Sequence, residues 1–422
     1  MPRRVHVIGA GLAGLATAVR LQQRGVQIAL YEAAGQAGGR CRSYYDTRLG
    51  ATLDCGNHLM LAGHAHVLEY ARAIGAAGEL ASAAEPGFAF ADLAAPVSWN
   101  MRFSRTRLPF WIGDTKARAP DTRAADYLRL LPLLFAKPGR TLGQTMRCDG
   151  VLWERTLRPL FLAGLNIEPR LASAELAANM MREVLTKGGD ALRPLVAKSG
   201  LSSTFVDPAL RMLQHGGATI RLGAPLMEIV FDDAARRVAA LDFATGRVVP
   251  GADEAVVLAV PPEAAAALVP EIQTPRRFTA TVDVHFAIEP PAGIASPMVL
   301  VNGTASWLSV VRGRLCATIH DAHAVLDVPP ETLARTVWAD VAGAVSLPAE
   351  PLPPWQVVST PHATFAAVPD EELRRPATRT RWNNLMLAGD WTATGLPATI
   401  EGALRSARKA ADLLLTEPME YR

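Results

Sequence analysis

Val5-His6-Val7-Ile8-Gly9-Ala10-Gly11-Leu12-Ala13-Gly14 joins an apolar run to three closely spaced glycines near the start of the chain. Val5 to Ile8 is a short apolar run of the kind that forms a buried parallel strand. Each of the three glycines that follow answers a separate steric need. Gly9 makes the tight turn off the strand, Gly11 leaves the backbone open to a pyrophosphate, and Gly14 lets the next helix pack closely on the strands. The phosphates then rest on a helix N-terminus, where unpaired N–H groups and the helix dipole favour an anion. Leu12 to Arg24 is the expected helix, with Leu15, Ala18, Val19 and Leu21 facing inward and Gly25 ending it. A second strand, Val26 to Tyr31, delivers Glu32 eighteen residues after Gly14. A carboxylate there accepts hydrogen bonds from the ribose of an adenine dinucleotide and repels the extra phosphate of NADP. Strand, turn, helix and acid at this spacing predict an α/β, Rossmann-type domain.

Size and composition bound the rest. A chain of 422 residues, half of them hydrophobic, has room for two domains with sizeable cores. The formal net charge of +3 is small for this length and no dense Lys/Arg run with interleaved aromatics occurs, so nucleic acid is not an expected partner. The mild cationic excess suits an anionic membrane surface. Cys41, Cys55, Cys148 and Cys316 show neither the close pairs of a zinc site nor the density of a secreted disulfide scaffold, and reduced thiols in the cytoplasm are the simplest reading. No metal is expected. Arg3-Arg4 before an apolar run imitates a signal peptide, but those apolar residues are needed for the phosphate turn, so the segment reads as retained. No stretch approaches the ~20 apolar residues required to span a bilayer; the chain is expected to be soluble or to lie on the inner membrane face.

Along the chain, Leu53 to Met60 reads as a glycine-containing turn and His66 to Ile74 as a helix. Phe88 to Phe90 and Val97 to Phe103 suggest short strands of a second domain, and residues 125 to 198 then turn helical. Asp207 to Leu213 suggests a helix, Thr219 to Leu222 and Leu226 to Phe231 suggest strands, and Ala255 to Val260 is a continuous apolar run that belongs in the dinucleotide-binding sheet. Thr279 to Ile288 and Trp307 to Val311 alternate as strands do, before a helix from Glu331 to Val345. Asn384 to Leu387 enters a second glycine turn, Ala388-Gly389-Asp390-Trp391, and a helix follows over Thr399 to Leu415. The predicted division is residues 1–80, 200–265 and 381–422 for a discontinuous nucleotide-binding domain, with 81–199 and 266–380 forming an α+β substrate domain.

The run from Gly9 through Glu32 to Gly38-Gly39-Arg40, joined to Gly389-Asp390 and Glu401-Gly402-Ala403, resembles the flavin amine oxidase and phytoene desaturase superfamily, whose members bind FAD. Three stretches resemble one of its branches, the squalene-associated FAD enzymes or hydroxysqualene dehydroxylases of hopanoid synthesis. They are Asp54 to Leu59, Trp153 through Asn166 to Ala174, and Ala388 to Thr392 continued by Leu396 to Ala403. Two departures stand out: Cys55-Gly56-Asn57-His58 replaces the usual Asn-Gly-Gln-His, and Ser406-Ala407 replaces a Ser-Gly pair.

The resemblance implies roles. Gly9, Gly11 and Gly14 hold the pyrophosphate and Glu32 the adenosine ribose; Arg40 takes a phosphate or the flavin edge. Leu226 touches the adenine through its main chain, Asp390 lies near the ribityl pyrophosphate, the Ile400 amide faces the pyrimidine, and Gly39, Gly56 and Gly389 complete the cofactor set. Plain alternatives are a solvated arginine at Arg40 and a helix cap at Asp390. His58, near the flavin ring, is the catalytic candidate, since an imidazole titrating near neutrality can protonate a departing hydroxyl; its alternative is a hydrogen-bonded structural histidine. The apolar residues from Tyr127 to Phe135 and from Trp153 to Leu165 line a hydrocarbon tunnel, dip into lipid or pack a core, with Asn166 and Glu154 as polar residues among them. The implied activity is reductive removal of the allylic hydroxyl of a long apolar isoprenoid, hydroxysqualene, using electrons from an unidentified donor. A carotenoid-type desaturase, an amine oxidase and a non-catalytic flavin-bound scaffold remain the alternatives.

Overall fold

A computed structural model describes residues 1–95, 97–269 and 271–416. Five parallel strands form its first sheet, in spatial order Thr219–Arg221, Gln27–Tyr31, Arg4–Ile8, Glu254–Leu258 and Leu385–Leu387. Val5, Val7, Val256 and Val257 are fully buried, as expected of strands covered on both faces. The helix Leu12–Gln22 and the last described helix, Ile400–Thr416, pack together beside this sheet and share one core with it.

A seven-stranded sheet runs Trp355–Phe365, Phe278–Phe286, Arg314–His320, Trp307–Val311, Met298–Val301, Gly87–Asp92 and Val97–Arg102. It is antiparallel except where Met298–Val301 runs parallel to Gly87–Asp92. The helix Pro330–Val345 supplies Leu333, Val337, Trp338 and Val341 to the core on this sheet. Leu226–Asp232, which follows the parallel strand Thr219–Arg221, lies outside that sheet and pairs with Arg237–Phe243 in a separate three-stranded antiparallel sheet. Among the described residues, no helix is long and apolar enough to cross a membrane.

The structure corrects three expectations. The first helix stops at Gln22 rather than Arg24, because Gly25 at φ +82° turns the chain and Val26 N–H donates back to Leu21 O at 3.2 Å. The turn expected over Leu53 to Met60 begins later, because Leu53 and Asp54 belong to the strand Ala51–Asp54, which pairs with Ser43–Asp46 in a hairpin. Residues 125–198 are not uniformly α-helical. Ala124–Phe135 is a 3₁₀ run containing Pro132, which has no N–H to give a helix, and Pro194–Ala197 is a strand bridging Met60–Leu61 and Leu80–Ser82.

Candidate active site

The first glycine turn meets its steric demands with backbone on two sides and space on the third. Gly9 sits at φ +100°, and a Cβ there would lie 2.4 Å from Ala259 O; a Cβ on Gly14 would lie 1.9 Å from Gly9 O. Neither position admits a side chain. A Cβ on Gly11, in contrast, would meet nothing within 4 Å. Gly11 is the N-cap of the first helix and gives its N–H groups no side-chain partner, so the empty space lies where an anion belongs.

Glu32 closes this turn from the end of the second strand. Its carboxylate accepts hydrogen bonds from Ala10 N–H at 2.7 Å and Ala34 N–H at 2.9 Å, which fix its orientation and leave lone pairs for a ribose. Gly223 N–H to Ala34 O and Ala224 N–H to Glu32 O, at 2.9 and 2.8 Å, bring the chain leading into Leu226 alongside that carboxylate. The adenine-contact candidate and the ribose candidate are thereby neighbours.

A second loop folds onto the first. Gly38 N–H donates to Ala10 O at 2.8 Å, and a Cβ on Gly39 would stand 3.4 Å from Gly11 Cα. The following Arg40 reaches across to the C-terminal turn, where one terminal nitrogen lies 2.7 Å from both carboxylate oxygens of Asp390 and the other donates to Ala363 O at 2.8 Å. Asp390 caps no helix here. Its carboxylate is 6% exposed and the Arg40 side chain 47%, although protein surrounds the guanidinium, so the pair lines a recess. The Asp390 charge raises the Arg40 pKa further.

The second glycine turn is bolted to the last helix, since Gly389 N–H donates to Ser406 Oγ at 2.8 Å. Thr399 Oγ1 accepts from Gly402 N–H at 3.0 Å as the N-terminal cap, which leaves Ile400 as the helix's first residue. Ser406, the residue of the Ser406-Ala407 pair that keeps the serine, thereby ties the second glycine turn to the helix.

His58 stands in the same recess, its Nε2 3.4 Å from Arg40 O. Gly56 gives the ring room: a side chain there would come within 3.2 Å of Nε2. Burial lowers the His58 pKa below its ordinary value, more than the Arg40 carbonyl raises it. Asn57, which precedes it, is anchored on the seven-stranded sheet. Its N–H donates to Asp283, its side-chain amide to Thr318 Oγ1 at 3.4 Å, and Thr318 Oγ1 donates to Asp283 at 2.6 Å. Asp283 is 1% exposed and burial pushes its pKa up to about 6.

Several further residues support this region or the fold around it, and of these Arg375 was not picked out from the sequence. Arg375, with a fully buried side chain, donates to Asp390 O, Thr392 O and Thr394 Oγ1 and so shapes the second turn; next to Arg374 it reads as a solvated pair. Glu401, 1% exposed, accepts from His66 N–H, His66 Nδ1 and Val67 N–H, capping the helix Ala65–Ala73 from a distance of more than three hundred residues in sequence. Asn166 ends a helix at φ +52° and joins Thr279, Thr364 and Asp321 N–H, a structural junction. Trp153, Leu157, Phe161 and Leu165 lie in the core. The Tyr127–Phe135 stretch divides: Tyr127 and Leu133 are buried, whereas Leu128, Leu131, Leu134 and Phe135 are exposed.

A parallel nucleotide-binding sheet with two glycine turns facing one recess, beside a mixed sheet that holds the His58 turn, defines a flavoprotein of the amine oxidase class. Residues 12–415 match the family described as flavin containing amine oxidoreductase, and the chain belongs to that family, with FAD as its cofactor. It is 46% identical over 417 residues to a hydroxysqualene dehydroxylase of Sinorhizobium fredii, covering 99% of both chains. A hydroxysqualene dehydroxylase of Rhodopseudomonas palustris is 45% identical over 98% of this chain and 99% of its own. Among solved structures, a putative protoporphyrinogen oxidase from Exiguobacterium superposes with a TM-score of 0.67 at 18% identity, covering 98% of this chain and 99% of its own, a likeness of fold alone.

Proposed function

We propose that this chain is an FAD-dependent oxidoreductase that converts hydroxysqualene to squalene in hopanoid synthesis. The observation that carries the proposal is the 46% identity to the Sinorhizobium protein along 99% of both chains. A dinucleotide would be held as the geometry suggests: pyrophosphate at Gly9, Gly11 and Gly14, ribose at Glu32, adenine along the main chain at Leu226. Gly39, Arg40, Gly389 and Asp390 would grip the ribityl side, and Gly56 and the Ile400 amide the ring. When bound in its reduced form, FAD supplies the hydride.

The chain's own residues handle the proton and the solvent. His58 in its protonated form donates from Nδ1, the ring nitrogen that the Nε2 contact with Arg40 O leaves free, to the departing hydroxyl, which leaves as water while the carbon–oxygen bond breaks and a carbon–hydrogen bond forms in its place. The lowered pKa of His58 makes that imidazolium the stronger acid. Leu59 and Leu61, beside the ring in sequence, pack on the apolar core and keep water from recapturing the allylic cation. An external electron donor completes the cycle, and a substrate this apolar implies contact with membrane lipid on the cytoplasmic side.

The test is product analysis by gas chromatography and mass spectrometry after purified, reduced holoenzyme meets detergent-dispersed hydroxysqualene. Squalene supports the reading. Unchanged hydroxysqualene, with new double bonds in a carotenoid precursor, replaces it with desaturation.

A further inference from the structure

The surface around residues 105–140 combines two properties that seldom coincide on a soluble chain. Leu128, Leu131, Leu134 and Phe135 stand 61, 50, 57 and 79% exposed, and the neighbouring Leu108 and Phe110 stand 61 and 68% exposed. Soluble surfaces scatter such residues singly; a cluster marks an interaction site. The two segments are tied together beneath this face, where Trp111 meets Tyr127 edge-on with ring centroids 5.3 Å apart.

Charge identifies the partner. Residues 102–140 contain nine Arg and Lys against three Asp, a net +6, twice the formal charge of the whole chain. Arg107, Lys116, Lys137 and Arg140 are exposed and form no ion pair among the described residues. Apolar side chains at the tip with free cations around them match an anionic bilayer, whose acyl boundary takes the former and whose phosphates take the latter. We infer that this face docks the protein on an anionic phospholipid surface.

The face also communicates with the candidate active site. Phe103 meets Trp111 at 5.0 Å, and Phe103 and Leu61 both pack against Ala191 and Leu192. Leu61 is three residues from His58. Packed apolar side chains therefore join the docking face to the segment that carries His58, and we read this as the side from which an isoprenoid taken from the bilayer would enter. This delivery role rests on the proposed substrate; the docking itself does not.

Co-sedimentation of the FAD-loaded protein with vesicles tests it, comparing pure phosphatidylcholine with equal parts phosphatidylcholine and phosphatidylglycerol. The wild type pellets with the anionic vesicles and is released by salt. Each cation near the surface contributes about fivefold, so Lys137→Gln with Arg140→Gln weakens binding about thirtyfold. Leu131→Ser with Leu134→Ser weakens binding to a similar degree without removing charge. Both variants keep the wild-type melting temperature and wild-type turnover of detergent-dispersed hydroxysqualene, but lose turnover of substrate embedded in vesicles. Wild type left in the supernatant, or variants that pellet as well as wild type, overturns the inference. So does sedimentation velocity that shows the face joining two copies of the chain. If vesicles bind as stated while no hydroxysqualene is converted, the proposed reaction fails and the docking surface stands.

Discussion

Alanine at Gly11 and at Gly14 should separate cofactor binding from folding, although the two residues lie three apart in one turn. Gly11 has φ −70° and ψ 176°, which alanine adopts without strain, and its Cβ would meet nothing within 4 Å. Losing glycine's freedom in the unfolded chain stabilises by about 0.4–1 kcal/mol, while alanine is a poorer N-cap by a similar amount, so Gly11→Ala leaves apoprotein stability unchanged to within about 1 kcal/mol. The new methyl instead occupies the space open to the pyrophosphate and keeps it from the first-turn N–H groups. Two lost charge-assisted hydrogen bonds amount to about 3 kcal/mol, a roughly hundredfold weaker FAD affinity. At Gly14 the Cβ would fall 1.9 Å from Gly9 O and 3.0 Å from Gly9 C, both backbone. The helix must move off the strand, and overpacking of this kind costs about 1–3 kcal/mol. Gly14→Ala therefore lowers both the apoprotein melting temperature and FAD affinity. Thermal melts of apoprotein and fluorescence titration with FAD read the two effects. Wild-type FAD affinity in Gly11→Ala would refute the assignment of the open space.

Three further outcomes follow from the same geometry. Arg40→Ala strands the buried Asp390 carboxylate; because Arg40 is 47% exposed, the loss is about 2 kcal/mol rather than the 3–5 kcal/mol of a fully buried pair, and a melt unshifted from wild type would contradict it. His58→Asn lowers the single-turnover rate about a hundredfold. Burial holds the wild-type His58 pKa below 6.5, so the rate climbs as pH falls from 8 toward that value and the variant's profile is flat; identical profiles would return His58 to a structural role. Glu401→Ala leaves His66 and Val67 N–H without their cap and costs about 2 kcal/mol. Burial alone would raise the Glu401 pKa, but the His66 and main-chain hydrogen bonds outweigh it and hold it below its ordinary value. Its stabilisation is therefore present above the unfolded carboxyl pKa and lost as pH falls through the lower folded value. Acid titration of the melting temperature should show a shallower limb in Glu401→Gln.

The glycine turn, Glu32 and the buried strands were legible because each is local: a steric or spacing rule acts within about thirty residues. The Thr399–Leu415 helix and the Asn384–Leu387 strand were legible for the same reason. The Arg40–Asp390 pair spans 350 positions, and no periodicity announces it. Glu401 entered the reading only as part of the Glu401-Gly402-Ala403 helix start, whereas its carboxylate caps a different helix. Pro132 was the visible warning that Ala124–Phe135 would not be a regular α-helix. The split of that segment between Tyr127 and Leu133 inside and four apolar residues outside depends on packing partners that the sequence does not display.

On these grounds the recess carries a hydroxyl-removing reduction. Photoreduced, FAD-loaded protein mixed anaerobically with one equivalent of hydroxysqualene tests it most directly, with absorbance following flavin oxidation and mass spectrometry following the lipid. Oxidised flavin and squalene should appear together and in equal amounts, at a rate that falls in His58→Asn. A reduced spectrum that persists while hydroxysqualene is recovered intact would contradict it.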